Sequence, residues 1–390
     1  MKGSKLILAG AWVVWAATVG WRWHSSLRNP IHTEDFQAVY DAAGKVLHGG
    51  QLYTGVLGSY VYLPSTALLG LPFRAFTLSD ATSLSILLQL VTVTVACFLI
   101  VRRFRGNPLL VPVCATVIAL SEQTLSAELV GNVDLFIPLT VAACALLVDA
   151  RREKASGLMY GLSIAIKPMI VVPAVLALVG RRWRFLGFAA LVPAVLSIPV
   201  IAATSAAGFF SKAVPLLTSE QHYRNIQYVN ITLVGVLSDE PRLLTDALRI
   251  AAGAASVLGV FALWRRSAPL GIRWLEATVA GQLGLALVGG FSFAHHISTA
   301  LLLLPAAASV ESLTRRPAVL AALLLLAAPR PLPVWNIQQQ QCAAMAAVIA
   351  TLLWAALHAR VAAGEPAAVR ASTPRFVFAQ SSTSGQRQTT

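Results

Sequence analysis

Long apolar runs separated by short arginine-rich stretches recur along this 390-residue chain. Hydrophobic residues make up 57% of the sequence and charged residues only 12%, about half the charged share of an ordinary soluble domain. A soluble protein with one leading signal peptide would not contain so many apolar runs. The pattern therefore predicts an all-α polytopic membrane protein and excludes a soluble enzyme.

The formal net charge of +14 does not indicate a nucleic-acid partner, because of where the basic residues lie. They cluster in short loops between apolar runs, and no continuous basic face interleaved with aromatic residues accompanies them. Basic loops stay on the cytoplasmic side of a membrane, so we predict a multi-pass protein of the plasma membrane with its polar islands on the outer face. The basic loops lie at 102–105, 151–154, 181–184, 265–273 and 315–316.

The apolar runs predict about 10 to 12 transmembrane or half-membrane helices joined by large outer loops. Residues 1–358 form this membrane domain, and the Ser/Thr/Gln-rich residues 359–390 are expected to be a disordered cytoplasmic tail. The predicted full spans lie at 6–21, 83–101, 108–121, 135–149, 185–203, 248–264, 275–290, 297–310, 317–328 and 342–358.

The four cysteines all fall inside apolar runs and form no disulfide or metal-binding pattern. We expect them to be small packing residues. Since no carboxylate pair has convincing metal spacing either, we predict a protein without a metal or other cofactor.

Two adjacent carboxylates, Glu34 and Asp35, follow the first apolar run. A carboxylate so close to hydrocarbon is unfavourable unless it is solvated or functional. One interpretation is a solvated helix cap, since Thr33, Glu34 and Asp35 all suit a helix N-terminus. The aromatic residues that follow, Tyr60 and Tyr62, favour a site in which Asp35 accepts a proton from a hydroxyl group.

The apolar stretch 155–180 is interrupted by Lys167 and Pro168, and both of its flanks are basic. A single span would place one flank on the wrong side, whereas two half-length helices meeting at Lys167 keep both flanks cytoplasmic. Each half would be about 18 Å long, against a hydrocarbon core of about 30 Å. A proline kink with a snorkelling lysine is the alternative.

The polar residues predicted on the outer face combine a possible base, several cations and neutral hydrogen-bonding groups. This set suits a substrate with a phosphate at the membrane and a sugar in water, because cations stabilise a phosphate leaving group. We expect only one of the adjacent residues His295 and His296 to face the pocket. The predicted base is Asp35, and the predicted substrate-binding residues are Glu34, Tyr60, Tyr62, Asn132, Asp134, Lys167, His222, Arg224, Tyr228, Asn230, His295 and His296.

An ordered series of short motifs carries a family resemblance, although no single motif is specific. The motifs are Asp35-Phe36, Leu52-Tyr53, Tyr60-Val61-Tyr62-Leu63-Pro64, Asn132-Val133-Asp134, Ile166-Lys167-Pro168 and Tyr228-Val229-Asn230-Ile231-Thr232. Over residues 30–310 the chain resembles the GT-C glycosyltransferases of family 87, which use polyprenyl-phosphate-linked sugars.

The resemblance implies a GT-C fold, a lipid-linked donor, a glycan acceptor on the outer face and inversion at the anomeric carbon, with Asp35 as the base. It is strongest to family members that add α-1,3 arabinofuranose branches to the arabinan of arabinogalactan and lipoarabinomannan. That likeness implies decaprenyl-phosphate-arabinofuranose as the donor.

Two residues depart from the usual pattern of the family, and a histidine pair departs from the pattern of its arabinofuranosyltransferases. Leu63 stands where a first proline is usual, and Asp134 stands where asparagine is common. His295-His296 is more similar to the family's mannosyltransferases, so a polyprenyl-phosphate-mannose-dependent enzyme of lipoglycan synthesis is one alternative. A lipid-linked sugar transporter or flippase is another, since it would need the phosphate-binding cations but no base.

Overall fold

The computed structural model describes residues 2–28, 34–56, 59–205, 208–217, 230–289, 292–331, 333 and 335–362, and these residues are mostly helical. An isolated bridge between Gln51 and Ser205 is their one β-type pairing. The α-helices of eight or more residues are α1 (Lys2–Arg28), α2 (Glu34–His48), α3 (Leu78–Arg103), α4 (Leu110–Ala119), α5 (Glu122–Val130), α6 (Ile137–Asp149), α7 (Glu153–Ile166), α8 (Val172–Val179), α9 (Trp183–Ala203), α10 (Arg242–Trp264), α11 (Leu270–Val288), α12 (Pro317–Ala327) and α13 (Ile337–Ala362).

Short α-helical turns and segments of 3₁₀ or π helix connect these α-helices. They are Pro64–Thr66, Ala67–Gly70, Leu71–Ala75, Asp134–Phe136, Phe209–Ala213, Val214–Leu217, Leu233–Val236, Ala294–Leu302, Leu303–Ala306 and Leu313–Arg315. The turns of 64–75 lie in an apolar stretch, residues 63–73, that is too short to span a membrane.

Among the described residues, five helices are long and apolar enough to cross a membrane: α1, α3, α9, α10 and α13. The pair α4 and α5 passes the same test together, with a bend of 51° between its halves. The predicted all-α polytopic membrane protein is confirmed. Several predicted spans coincide with shorter helices, such as the 13 residues of α6, which extend only about 20 Å.

Helix α11 lies at the centre of the molecule, and most of its residues are buried. Its neighbours include α6, α8, α10 and α13. Gly284 lets α11 approach α10 closely, because a Cβ atom there would lie 2.2 Å from Oγ of Ser256. Glu276, Thr278 and Gln282 are buried polar residues on this largely apolar helix.

Helices α7 and α8 are two half-length helices that meet at Lys167. Helix α7 ends at Ile166, and Lys167 is extended, with φ −161° and ψ 122°, because a residue before proline avoids the α conformation. The start of α7 lies beside the start of α9, since a Cβ atom on Gly157 would be 2.4 Å from the carbonyl oxygen of Phe185.

Helix α9 begins only four residues after α8 ends. The end of α7 and the end of α8 that are farther from Lys167 therefore lie together on one side of the molecule. This arrangement agrees with the half-helix interpretation and not with a single kinked span.

Two hydroxyl groups stabilise the broken end of α7. Oγ of Ser65 donates to the carbonyl oxygen of Ala165 at 2.9 Å, and Oγ1 of Thr66 lies 2.9 Å from the carbonyl oxygens of both Ala165 and Ile166. The last carbonyl groups of a helix lack partners within it. The segment after Tyr62 thus supplies the partners that hold the helix end at Lys167.

Candidate active site

Asp35 lies in the first turn of α2 and points toward the turn that precedes α6. Nδ2 of Asn132 donates to Oδ2 of Asp35 at 2.5 Å, and the Tyr62 hydroxyl lies near enough to the same carboxyl group to lower its pKa. Asn132 and Tyr62 are buried, whereas the neighbouring Glu34 is exposed. Asn132 therefore holds Asp35 inside the site, whereas the side chain of Glu34 faces outward.

The surroundings of Asp35 raise its pKa above the ordinary value of 3.8. The largest cause is the loss of hydration in the packed site, which disfavours the charged carboxylate. The positive charge of Lys167 and the hydrogen bond from Asn132 lower the pKa in part. A carboxylate with a raised pKa accepts a proton more readily than an exposed one, as a general base must.

Lys167 and Asp134 form an ion pair beside this carboxylate. Nζ of Lys167 lies 3.0 Å from Oδ1 of Asp134 and 3.2 Å from Oδ2. It also lies 5.7 Å from the ring centroid of Tyr62. Tyr62 thus contacts both Asp35 and Lys167, and it joins the carboxylate on α2 to the cation at the break between α7 and α8.

Both histidines of the 295–296 pair lie beside Asp134, so the expectation that only one would face the pocket is wrong. Nitrogen atoms of His295 and His296 and a carboxylate oxygen of Asp134 all lie within 4.8 Å of one another. The pair begins the 3₁₀ helix Ala294–Leu302 instead of lying inside an α-helix. Its two rings meet edge to face, with centroids 4.6 Å apart, and both reach the same space.

The two imidazoles are held in different ways. Nδ1 of His295 lies 2.9 Å from Oγ of Ser126, and its buried Nε2 has no hydrogen-bond partner among the described residues. Nδ1 of His296 accepts a hydrogen bond from the backbone N–H of Phe293 at 3.2 Å. Loss of hydration and the charge of Lys167 lower the pKa of both rings, so they are neutral at pH 7.

The groups of Asp134, His295 and His296 are of the types that bind divalent cations. Lys167 already provides the positive charge for Asp134, at a distance of 3.0 Å. A divalent cation on the same carboxylate would be repelled by that ammonium group. Lys167 therefore competes with a metal ion for this carboxylate, and the expected metal independence stays a prediction.

Tyr60 and Asn230 hold other parts of the site in place. The Tyr60 hydroxyl donates to the carbonyl oxygen of Leu63 at 2.5 Å, and its ring lies against Tyr62. Oδ1 of the buried Asn230 accepts the backbone N–H of Ser292 at 3.0 Å, which ties this residue to the segment leading to the histidine pair. The predicted residues His222, Arg224 and Tyr228 lie outside the described residues.

A cavity of about 290 Å³ lies along α2 next to Asp35. Glu34 lines it, and Tyr60 connects it to Tyr62 through their ring contact. All but one of the residues that line it have polar side chains; they are Glu34, Gln37, Ala38, Asp41, Lys45, Ser59 and Tyr60.

Residues 60–289 match the model of glycosyltransferase family 87. The matched stretch exceeds half of the 390 residues. The chain belongs to glycosyltransferase family 87. The family expected from the ordered motifs is therefore confirmed.

Two relatives of this family 87 chain are called alpha-(1->3)-arabinofuranosyltransferase, and both come from Mycobacterium tuberculosis. The proteins of the CDC 1551 / Oshkosh and ATCC 25618 / H37Rv strains are each 28% identical to the chain over 265 residues, which is 65% of this chain. The alignment covers 60% of each relative, so the chain spans about three fifths of the length of the curated proteins it matches.

The family match contains only part of the site. Tyr62, Asp134 and Lys167 fall inside the matched stretch, whereas Asp35 and the histidine pair fall outside it. Their place in the site rests on the contacts described above.

Sequence reasoning missed several residues that support the site. Ser126 carries no recognisable motif, although it contacts His295. Nε2 of Gln282 donates to the backbone carbonyl of His296 at 2.7 Å. A polar amide inside the apolar run of α11 was a usable signal, because polar groups at such positions are usually partnered or functional.

Proposed function

We propose that this family 87 protein is an inverting membrane glycosyltransferase that moves arabinofuranose from decaprenyl-phosphate-arabinose to an arabinan acceptor. In this proposal it adds α-1,3 branches on the outer face of the plasma membrane. The two mycobacterial relatives support the choice of sugar. The observation that carries the chemistry is the carboxylate of Asp35, held by Asn132 beside the Lys167–Asp134 ion pair.

The reaction follows from these groups. A hydroxyl oxygen of the acceptor attacks the anomeric carbon of the donor sugar, and the bond from that carbon to the phosphate oxygen breaks. The bonding electron pair leaves with the polyprenyl phosphate, and the hydroxyl proton moves to Asp35. A positioned general base contributes about 10² to 10⁴-fold to such a step.

The leaving phosphate gains negative charge as the bond breaks. Lys167 lies close enough to Asp35 for its charge to lower the pKa of that carboxyl, so it can stabilise this developing charge opposite the base. In the tautomer whose Nδ1 accepts the Ser126 hydroxyl, Nε2 of neutral His295 donates a hydrogen bond to the same phosphate. Asp134 positions the ammonium group, and no metal ion is needed in this scheme.

The deciding experiment uses full-length protein in detergent, a synthetic arabinan acceptor and separate decaprenyl-phosphate-arabinose and polyprenyl-phosphate-mannose donors. We expect an arabinosylated product from the first donor only. A mannosylated product from the second donor alone would replace arabinose with mannose.

A transporter is the rival from another class. It moves a lipid-linked sugar without breaking its glycosidic phosphate bond, so it releases no polyprenyl phosphate in detergent. Absence of product and of released polyprenyl phosphate with both donors, from protein that still binds them, would favour the transporter.

A further inference from the structure

A second group of buried charges lies at the end of the molecule opposite the candidate active site. Helix α6 begins beside the turn that contains Asp134 and ends at Asp149, while α7 ends at Lys167 and begins at Glu153. Helix α11 likewise begins at Leu270 and ends next to the segment that leads to the histidine pair. The far ends of these helices are joined by the arginine-rich loops.

Two of these arginines flank a pair of tryptophans. Cζ of Arg182 lies 5.6 Å from the ring centroid of Trp274, and Cζ of Arg273 lies 5.8 Å from that of Trp264. The two indole rings meet at 5.6 Å and 64°. Nη1 of Arg273 also donates to the carbonyl oxygen of Trp264 at 3.0 Å. The aromatic pair therefore holds two like charges near each other.

A third arginine adds charge to the same place. Arg266 is only 5% exposed, and its Nη2 donates to Oε2 of Glu276 at 2.7 Å. Oε1 of Glu276 accepts from Oγ of Ser312 and the backbone N–H of Leu313, so this carboxylate is fully used. Three arginines and one carboxylate leave a net charge of +2 in the group.

Several of the buried N–H groups have no acceptor among the described residues. They are Nε and Nη1 of Arg266 and Nε of Arg273. A buried charged donor without an acceptor is strongly unfavourable. The carboxylates of Glu153 and Glu311 lie near these arginines, but the guanidinium groups of Arg151 and Arg316 lie near them as well. Because the two carboxylates and the two guanidinium groups balance each other, these neighbours do not neutralise the excess positive charge.

We propose that this arginine–tryptophan cluster, formed by Arg182, Arg266, Arg273, Trp264 and Trp274, binds the phosphate of an anionic phospholipid headgroup. Guanidinium groups match phosphate oxygens with paired hydrogen bonds. Basic pockets between helices bind anionic headgroups.

Apolar side chains beside the cluster favour a lipid over free phosphate. Val179, at the end of α8, is 58% exposed, and Trp183, at the start of α9, is 64% exposed. Both lie within three residues of Arg182 and can contact acyl chains. The cluster also lies in the loops that are predicted to be cytoplasmic.

The test measures lipid binding and not transfer activity, so it is independent of the proposed reaction. Full-length protein in neutral detergent is stripped of lipid and titrated with micelles containing phosphatidylglycerol, with micelles containing phosphatidylcholine, and with inorganic phosphate alone. The readout is the shift of the thermal unfolding midpoint with concentration. We expect phosphatidylglycerol to raise the midpoint and phosphatidylcholine to leave it unchanged.

Variants assign the binding to the cluster. Arg273→Gln and, in case that variant folds poorly, Arg182→Gln should weaken phosphatidylglycerol binding by at least about tenfold. Arg184→Gln is the control, because Arg184 is exposed near the same loop and its loss changes the net charge equally. Equal effects of the two lipids, or of the cluster and control variants, would overturn the proposal. Binding of inorganic phosphate without any preference for phosphatidylglycerol would overturn the assignment to a lipid.

Discussion

Asp35 and Glu34 are neighbours in sequence but differ in their surroundings, so they give a matched pair of variants. Asp35→Asn should lower turnover by about 10² to 10⁴-fold, because it removes the base while it keeps the size of the side chain. Glu34→Gln should have a much smaller effect, since Glu34 is exposed on the outer side of α2. Turnover of the lipid donor and donor binding are measured for each variant. A strong loss of turnover in Glu34→Gln but not in Asp35→Asn would assign the role of base to Glu34 instead.

The raised pKa of Asp35 predicts how activity depends on pH. The base works only when it is deprotonated, so kcat/KM should rise as pH rises through the pKa of Asp35 and fall away below it. Because burial raises this pKa, the acidic limb should lie above the 3.8 of an ordinary aspartate. A pH profile of the wild-type protein checks this, and a limb at or below 3.8 would contradict it.

Lys167 forms an ion pair with Asp134 and is proposed to bind the donor phosphate, and a double variant can separate these two roles. From the sequence, Lys167→Met is expected to impair use of the donor and leave the fold intact. The ion pair with buried Asp134 changes that second expectation, because an uncompensated buried carboxylate destabilises a protein by about 3–5 kcal/mol. Lys167→Met with Asp134→Asn should restore the unfolding midpoint but not donor binding. Donor binding restored in the double variant would exclude Lys167 as a phosphate ligand.

At the scale of the residue, the sequence indicated the types of groups in the site better than their partners. Asp35 and Lys167 stood out because charged residues next to apolar runs need a reason. That Asn132 donates to Asp35, and that Lys167 pairs with Asp134, depends on the packing of segments about 30 to 100 residues apart, and no local pattern encodes such pairings.

At the scale of the helix, the positive charge of the flanking loops predicted the path of the chain through the membrane better than an assumed α-helical spacing predicted which side chains face the site. The basic loops on both sides of 155–180 indicated two half-helices as one of two interpretations, and the structure contains two helices that meet at Lys167. For His295 and His296, an assumed α-helix predicted one inward side chain, whereas a 3₁₀ turn brings both beside Asp134. Helix type at a chain break depends on tertiary contacts, which the sequence pattern does not contain.

The close contact between α7 and α9 can be tested with two glycines. Gly157→Ala should destabilise the protein by about 1–3 kcal/mol, because its Cβ atom would lie 2.4 Å from the carbonyl oxygen of Phe185. Gly187→Ala is the control, since nothing lies within 4 Å of a Cβ atom at that position of α9. Thermal unfolding in detergent compares the two; equal midpoints would mean that α7 and α9 are less closely packed than described.

At the scale of the whole molecule, the active site and the arginine–tryptophan cluster lie at opposite ends of the same helices. Helices α6, α7 and α11 each connect one region to the other. The apolar runs and basic loops predicted a molecule with a polar outer face and a basic inner face. The number of full spans was harder to predict, because helices such as α6 and α8 are apolar yet too short to cross a bilayer alone.

The proposed mechanism requires the candidate active site to lie on the outer face of the membrane and the basic loops on the cytoplasmic face. Labelling of introduced cysteines tests this orientation. The four native cysteines are buried, so a cysteine introduced at an exposed position can be labelled against a low background. Glu34→Cys, next to Asp35, should react with a membrane-impermeant maleimide in intact cells, because the donor and acceptor are proposed to meet on the outer face. Arg184→Cys should react only after the cells are permeabilised, because basic loops remain in the cytoplasm. Labelling of Arg184→Cys but not of Glu34→Cys in intact cells would reverse the orientation and place the proposed base on the side away from the acceptor.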